Sequence, residues 1–377
     1  MAVRSEPSPL GEILNAEISA RSRITFAEYM DTCLYHPQYG YYAKAEQDAR
    51  RDYITSVEVT PVFGRLLARQ LQEMWLLLGR PEIFWLVEAG AGTGELAKQI
   101  LDFAVDSLPD FYSAARYVGV ERSAARRAAQ MTSLAKHIVN RRFSSSAELP
   151  DEILCGCIFS NELLDAFEVH RVAQQNGKLR EIYVAHDQNG FCDEIGSLSS
   201  PAIAEYFDAM GIRLRDEQMA EVCLAACDWI EAAGKRIQRG FVLTIDYGHE
   251  ARELYDERHM RGTLLAYGRH RVSEDFYRAP GLQDLTAHVN FTALDVWGGR
   301  GGLVRSGLTS QTNFLLALAR WMNFADLYAP GASEHEQIAT RLRFKTIIHP
   351  EGMGETFKVL VQHKGIESPQ LTGFEPF

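Results

Sequence analysis

The stretch that most restricts what this chain can become is Trp85-Leu86-Val87-Glu88-Ala89-Gly90-Ala91-Gly92-Thr93-Gly94-Glu95-Leu96. The apolar run from Ile83 to Val87 predicts a buried strand, which ends in an acid and three glycines at alternate positions. A helical pattern follows at once, with Leu96, Ile100 and Phe103 on one face. Strand, glycine turn and helix form the ligand-cradling unit of open α/β sheets. Glycines lack a Cβ, so the backbone turns tightly and a ligand comes close. The helix start beyond them offers free N–H groups.

Two common ligands do not suit the pattern. The dinucleotide fingerprint needs Gly or Ala at its sixth position, and counting from Gly90 that position is Glu95. A phosphate-binding P-loop needs Lys and then Ser or Thr after its last glycine, whereas Gly94 is followed by Glu95. The spacing Glu-x-Gly-x-Gly-x-Gly resembles the first motif of class I S-adenosylmethionine-dependent methyltransferases. That cofactor carries an ammonium and a sulfonium, which suits Glu88 at the strand tip. The competing explanation is a tight strand–helix turn that holds no ligand.

The chain has 377 residues, enough for one large domain with insertions or for two domains. With 46% hydrophobic and 24% charged residues, it has an ordinary globular composition. Its net charge of -11 argues against general nucleic-acid binding. The six cysteines have no structural-zinc spacing, so reduced buried thiols are expected and no metal. The first ten residues lack a signal core or a transit-peptide pattern, and no run has membrane-spanning length. A cytoplasmic protein without membrane insertion is expected.

Residues 1–80 read as a helical lid or substrate-wall segment, and 81–377 as the α/β core. Thr25 with Glu28 predicts a helix start by a capping box. His36 to Tyr42 reads as an aromatic loop, and Arg50-Arg51-Asp52 as a polar surface loop. Thr60-Pro61 opens a long helix over 62–78. Strands are predicted at 117–120, weakly near 138–143, and at 156–160, 240–245, 303–308 and 356–362. Residues 311–322 and about 334–345 read as helices. Insertions are expected at about 169–185, a hairpin turning at Asn176-Gly177, and at 198–239, a helical stretch. Gly298 to Gly302 reads as a turn.

Strand tips supply the candidate chemistry. Glu121 ends the second strand, where a carboxylate can accept from the two hydroxyls of a ribose. Asn161-Glu162-Leu163-Leu164-Asp165 follows the central strand at 156–160, the end where an open sheet keeps its active site. Glu162 and Asp165, three apart, are expected to share one helical face. The alternative is a capping box for the next helix.

The ordered motifs together resemble the MidA-like family. They are Ile24-Thr25-Phe26-Ala27-Glu28-Tyr29-Met30, Tyr35-His36-Pro37-Gln38-Tyr39-Gly40-Tyr41-Tyr42, Tyr53-Ile54-Thr55-Ser56, Glu88-Ala89-Gly90-Ala91-Gly92, Ser160-Asn161-Glu162-Leu163-Leu164-Asp165-Ala166, Ile245-Asp246-Tyr247-Gly248, Gly262-Thr263-Leu264 and Asp284-Leu285-Thr286-Ala287-His288-Val289-Asn290-Phe291. Phe167-Glu168 stands where the family often has a proline. This family includes the mitochondrial protein-arginine methyltransferase that helps assemble respiratory complex I, together with bacterial relatives. The resemblance implies a class I methyltransferase fold with a mostly parallel seven-stranded sheet. It also implies methylation of a protein arginine, with a complex I core subunit or another protein as substrate.

S-adenosyl-L-methionine is then the expected cofactor, held by Glu88, Gly90, Gly92, Gly94, Glu121 and Asn161. Arginine is protonated and a poor nucleophile. Glu162 and Asp165 are candidates to polarise its guanidinium, with Asn161 orienting either ligand. His270, Asp284 and His288 form a second polar set, of which His288 is the candidate proton acceptor. Tyr29, Tyr39, Tyr41 and Tyr42 are candidates to wall a cation or simply to pack. A non-catalytic binding platform on the same fold, or a small-molecule methyltransferase, is the alternative function.

Overall fold

Seven strands carry the elements that place the glycine turn: β1 (Phe84–Ala89), β2 (Ala115–Val120), β3 (Phe143–Ser146), β4 (Ile153–Asn161), β5 (Ile237–His249), β6 (Val304–Ser310) and β7 (Phe357–Lys364). They lie in the order β6-β7-β5-β4-β1-β2-β3. β1 to β5 run parallel, and β7 runs antiparallel to both β5 and β6. Apart from the two-residue strand Val289–Asn290, which pairs parallel to the end of β5, this is the mostly parallel seven-stranded sheet expected of a class I methyltransferase. The computed structural model describes residues 8–44, 56–188, 190–268, 271–328, 331–349 and 354–376. The loop Arg50-Arg51-Asp52, the run Tyr53-Ile54-Thr55 and His270 lie outside the described residues.

The chain divides into two units of three segments each. The sheet unit comprises residues 54–163, 230–247 and 297–377, and the second unit 1–53, 164–229 and 248–296. In the sheet unit the helices are α1 (Val62–Leu77), α2 (Glu95–Ser107), α3 (Ala124–Ser133), α4 (Gln311–Trp321) and α5 (Glu334–Ile348). Leu86, Phe159, Leu243 and Val359 from four strands share one core with Leu66, Leu71 and Met74 of α1 and Ile100 of α2. Each such side chain contributes about 1.5–3 kcal/mol on burial. Thr60 Oγ1 accepts from Val62 N at 3.3 Å, which opens α1 as expected. Gly64 lets α1 and α2 approach closely: a Cβ there would lie 2.4 Å from the Cβ of Gln99.

The second unit holds an antiparallel sheet. Residues 170–175 and 178–187 form the expected hairpin, and Asn176 and Gly177 both adopt positive φ, as its two-residue turn requires. The helix Phe26–Tyr35 starts with the expected capping box of Thr25 and Glu28. Ile24 and Thr25 pair with Val184 and Tyr183.

Five expectations need correction. The stretch 201–239 is not all helix: between helices Ala202–Met210 and Leu224–Arg236, the strand Met219–Val222 pairs with residues 170–173. Four residues of strand between helices leave little periodicity to read. Ile138 lies in the short helix Ala135–Val139, and β3 starts only at Phe143. That strand, Phe-Ser-Ser-Ser, carries no apolar run. Tyr41 to Lys44 close the aromatic loop as a helical turn. Gly298 and Gly299 are inside the helix Phe291–Arg300, where close packing requires glycine at 298: a Cβ there would meet the amide of Gln362 at 2.4 Å. Finally, Glu162 and Asp165 share no helical face. Glu162 has φ of 51°, and the short 3-10 turn begins only at Leu164.

Candidate cofactor and active site

The strand order reverses between β1 and β4, which is where an open α/β sheet leaves a crevice at its carboxyl ends. β1 leads there into the elbow Gly90–Gly94, and β4 ends beside it, with Ala89 in register with Ser160. The amides of Gly90 and Ala91 both donate to Val120 O at 3.0 Å, tying the elbow to the end of β2. Gly90, Gly92 and Gly94 have φ of 74°, 51° and 84°, values that L side chains resist.

The three glycines serve different ends. A Cβ at Gly90 would meet Leu163 Cδ1 at 2.8 Å, and one at Gly94 would meet Leu134 Cδ1 at 2.9 Å. A Cβ at Gly92 would meet nothing within 4 Å. Gly90 and Gly94 are therefore needed by the packing, whereas Gly92 borders open space. Such space beside a bare backbone is where a ligand fits without displacing protein.

Acids and amides surround that opening. Glu121 Oε2 accepts from Gly92 N at 3.0 Å, and its Oε1 accepts from Ser123 N at 2.9 Å. Each carboxylate oxygen has two lone pairs, so one on each remains for a ribose hydroxyl. Glu88, on the neighbouring strand, is 4% exposed. Tyr117 Oη donates to its Oε2 at 2.5 Å. Burial pushes the Glu88 carboxyl up to about 7; the Tyr117 bond opposes that and the nearby Glu121 charge adds to it. At the end of β4, Asn161 Nδ2 donates to Glu162 Oε1 at 3.2 Å, and Asn161 Oδ1 is buried without a hydrogen-bond partner among the described residues. Buried acceptors are rarely left so, and a donor on a ligand would satisfy it. Glu162 Oε1 also accepts from Ser56 N at 3.2 Å.

Gln130 and Tyr117 brace the candidate site, and sequence reasoning missed them. Gln130, fully buried on α3, donates from Nε2 to Gly92 O at 2.8 Å, while Ser145 Oγ donates to its Oε1 at 2.5 Å. It thus clamps the elbow from the far side. A lone glutamine among the small and charged residues of α3 was the available signal. Tyr117 sits at an inward position four residues before Glu121 on the same strand face.

Asp165 and His288 belong to the second unit. Asp165 is 8% exposed, and its carbonyl accepts from Ala287 N at 3.0 Å. Asp284 is 1% exposed and accepts from Tyr42 Oη at 3.1 Å. Tyr267 pairs in register with Asp284, and burial raises its phenol, helped by the charges of Asp165 and Asp284. Tyr42 stacks on Tyr35 with ring centroids 5.4 Å apart and meets Tyr41 edge-on. Tyr29 is fully buried against Phe26, Phe191 and Tyr277, so it is core and not a wall. Tyr39 stacks on His36. His288 lies with His249 and His259 at ring-centroid distances of 5.3 and 6.3 Å. Burial, then those two rings, lower the His288 imidazole to about 4, so it is neutral at pH 7.

Sheet order, elbow and acidic tips define a class I methyltransferase. The chain matches over residues 66–309 the family described as "putative S-adenosyl-L-methionine-dependent methyltransferase". It belongs to that family, and its cofactor is S-adenosyl-L-methionine. A Burkholderia thailandensis protein solved bound to S-adenosyl-homocysteine is 30% identical, with a TM-score of 0.86 over 98% of this chain and 97% of that one. The mitochondrial protein arginine methyltransferase NDUFAF7 homolog of Drosophila melanogaster is 25% identical over 96% of this chain and 86% of its own length. Its Homo sapiens counterpart, protein arginine methyltransferase NDUFAF7, is 26% identical over 96% and 85%. No helix among the described residues is long and apolar enough to cross a membrane.

Proposed function

We propose that this methyltransferase acts on an arginine side chain of a protein, as the names of its Drosophila and human relatives suggest for those proteins. A subunit of respiratory complex I is the first substrate to try. The bound cofactor supplies an electrophilic methyl group, and the protein's share of the task is alignment. Gly92 leaves room for the cofactor, Glu88 and Glu121 provide the acidic tips, and Asn161 Oδ1 offers an acceptor to its ammonium.

The observation that carries an active role is Glu162. This non-glycine residue holds a left-handed backbone at φ of 51°, directly after the central strand and one residue before Leu163, which packs on Gly90. Such a conformation costs about 1–3 kcal/mol and concentrates at functional sites. We assign Glu162 to pair with the acceptor guanidinium, drawing its positive charge to one nitrogen and freeing a lone pair on the other. Asp165 and Asp284, buried beside Tyr42 and Tyr267, are a second acidic set suited to a guanidinium. With its imidazole near 4, His288 is a weak base and is assigned a structural role at neutral pH.

The test is transfer of isotope-labelled methyl to lysate protein from a strain lacking the enzyme, with the labelled residue identified by mass spectrometry. Label on arginine, lowered about 10²-fold or more in Glu162→Gln with cofactor binding kept, is the expected result. Cofactor binding without transfer to any protein would leave a binding platform instead. Label on a small molecule would move the substrate class.

A further inference from the structure

The Glu88 carboxyl is an odd partner for a cation, because the empty protein does little to keep it charged. It is 4% exposed, and no Lys, Arg or His nitrogen lies within 4 Å of it among the described residues. Its one hydrogen-bond donor among them is the Tyr117 hydroxyl. The titratable groups around this pair are Glu121 at the end of β2, with Arg126 Nη1 3.9 Å from its Oε2, and Cys157 on β4, which shares the core with Tyr117. Glu121 is an acid and Cys157 a buried thiol, whose burial pushes it well up, so that it stays neutral. A buried carboxyl facing only a phenol and another acid has good reason to keep its proton. A cation brought to the strand tips reverses that balance.

We propose that cofactor binding is proton-linked through Glu88, with Tyr117 as its positioning residue. Below neutral pH the carboxyl of the empty protein keeps its proton, and Tyr117 donates to Oε2. When the cationic end of S-adenosylmethionine is seated, the acid O–H breaks, the carboxylate remains held by Tyr117, and the proton passes to solvent. Starting from the protonated carboxyl, the net step is release of one proton per cofactor bound, with no other reactant. This rests on the cofactor seat at the elbow. One consequence is that affinity weakens as pH falls through neutrality.

Calorimetric titration of S-adenosylmethionine in two buffers of different ionisation enthalpy counts the protons. Wild type is expected to release nearly one proton per cofactor at pH 6, about half at pH 7 and few at pH 8, in keeping with a carboxyl near 7. Glu88→Gln, which cannot ionise, should bind with the weaker affinity that wild type shows at low pH, and its proton count should lose this pH dependence. Tyr117→Phe removes the bond that favours the ionised form, so its release profile should move to higher pH. A mere packing role for Tyr117 would leave that profile in place. Binding with no proton release at pH 6, or an unchanged profile in Glu88→Gln, overturns the proposal and leaves the cofactor seat standing. Absence of binding by the wild type would overturn both.

Discussion

At the scale of single residues, the elbow shows how one amino acid answers three separate demands. All three glycines adopt backbone that other residues resist, at about 1–2 kcal/mol each. Gly94 is also enclosed, since its Cβ would press on the fully buried Leu134 and Gln130. Gly94→Ala should therefore destabilise the protein by about 2–5 kcal/mol, the left-handed cost plus overpacking, as read by urea unfolding. Glu88 makes a different claim on stability. Its carboxyl sits higher in the folded protein, at about 7, than the 4.5 of a free side chain. The folded state therefore holds the proton more tightly, and the stability Glu88 contributes is present below about pH 4.5 and lost as pH rises through 7. Relative to wild type, the empty Glu88→Gln variant should gain up to about 3 kcal/mol between pH 5 and pH 8. Parallel denaturation curves at the two pH values check this; a constant difference would contradict it.

At the scale of elements, the site is a meeting of strand ends, and that is why much of it was legible. Apolar runs that stop at Glu88, Glu121 and Asn161 mark both the strands and the candidate residues at their tips, because a parallel sheet buries its strands and frees their carboxyl ends. The residues that brace these tips were not legible. Gln130 reaches Gly92 O from a different helix, and Tyr117 reaches Glu88 across a strand register, which no local pattern encodes. The turn after β4 was misread for a similar reason. Acids three apart look helical, yet Glu162 leaves the helical region and its amide bonds Ile245 O of β5. Brace residues should matter in proportion to what they satisfy. Gln130→Ala leaves Gly92 O and Ser145 Oγ without their partner, at about 1–3 kcal/mol. Cofactor affinity should fall with it, since the elbow loses its outer clamp; thermal melts and calorimetry on the same sample read both.

At the scale of the whole molecule, the glycine elbow is far from self-sufficient. β1 to β4 come from residues before 163, but β5, β6 and β7 come from 237–249, 304–310 and 357–364. β4 needs β5 along eight paired positions, and the core needs Leu243 and Val359. A fragment spanning 54–163 carries the whole glycine motif and both acidic tips. It should nonetheless remain unfolded by circular dichroism and fail to bind cofactor, because its central strand has lost one neighbour. The interleaving also hides the division into units from a linear reading, since no linker composition marks a segment that leaves one unit and returns. In the intact chain, cofactor at a hundredfold over its dissociation constant should add about 2.7 kcal/mol of stability.

The most direct measurement is calorimetric titration of S-adenosylmethionine into wild type and Gly92→Ala, with circular dichroism to show that both are folded. A Cβ at position 92 touches no protein atom within 4 Å, so the variant should fold with only the left-handed cost. If the space beside that backbone seats the cofactor, wild type binds and Gly92→Ala loses at least tenfold in affinity, about 1.4 kcal/mol. A folded Gly92→Ala protein that binds as tightly as wild type would place the methyl donor elsewhere.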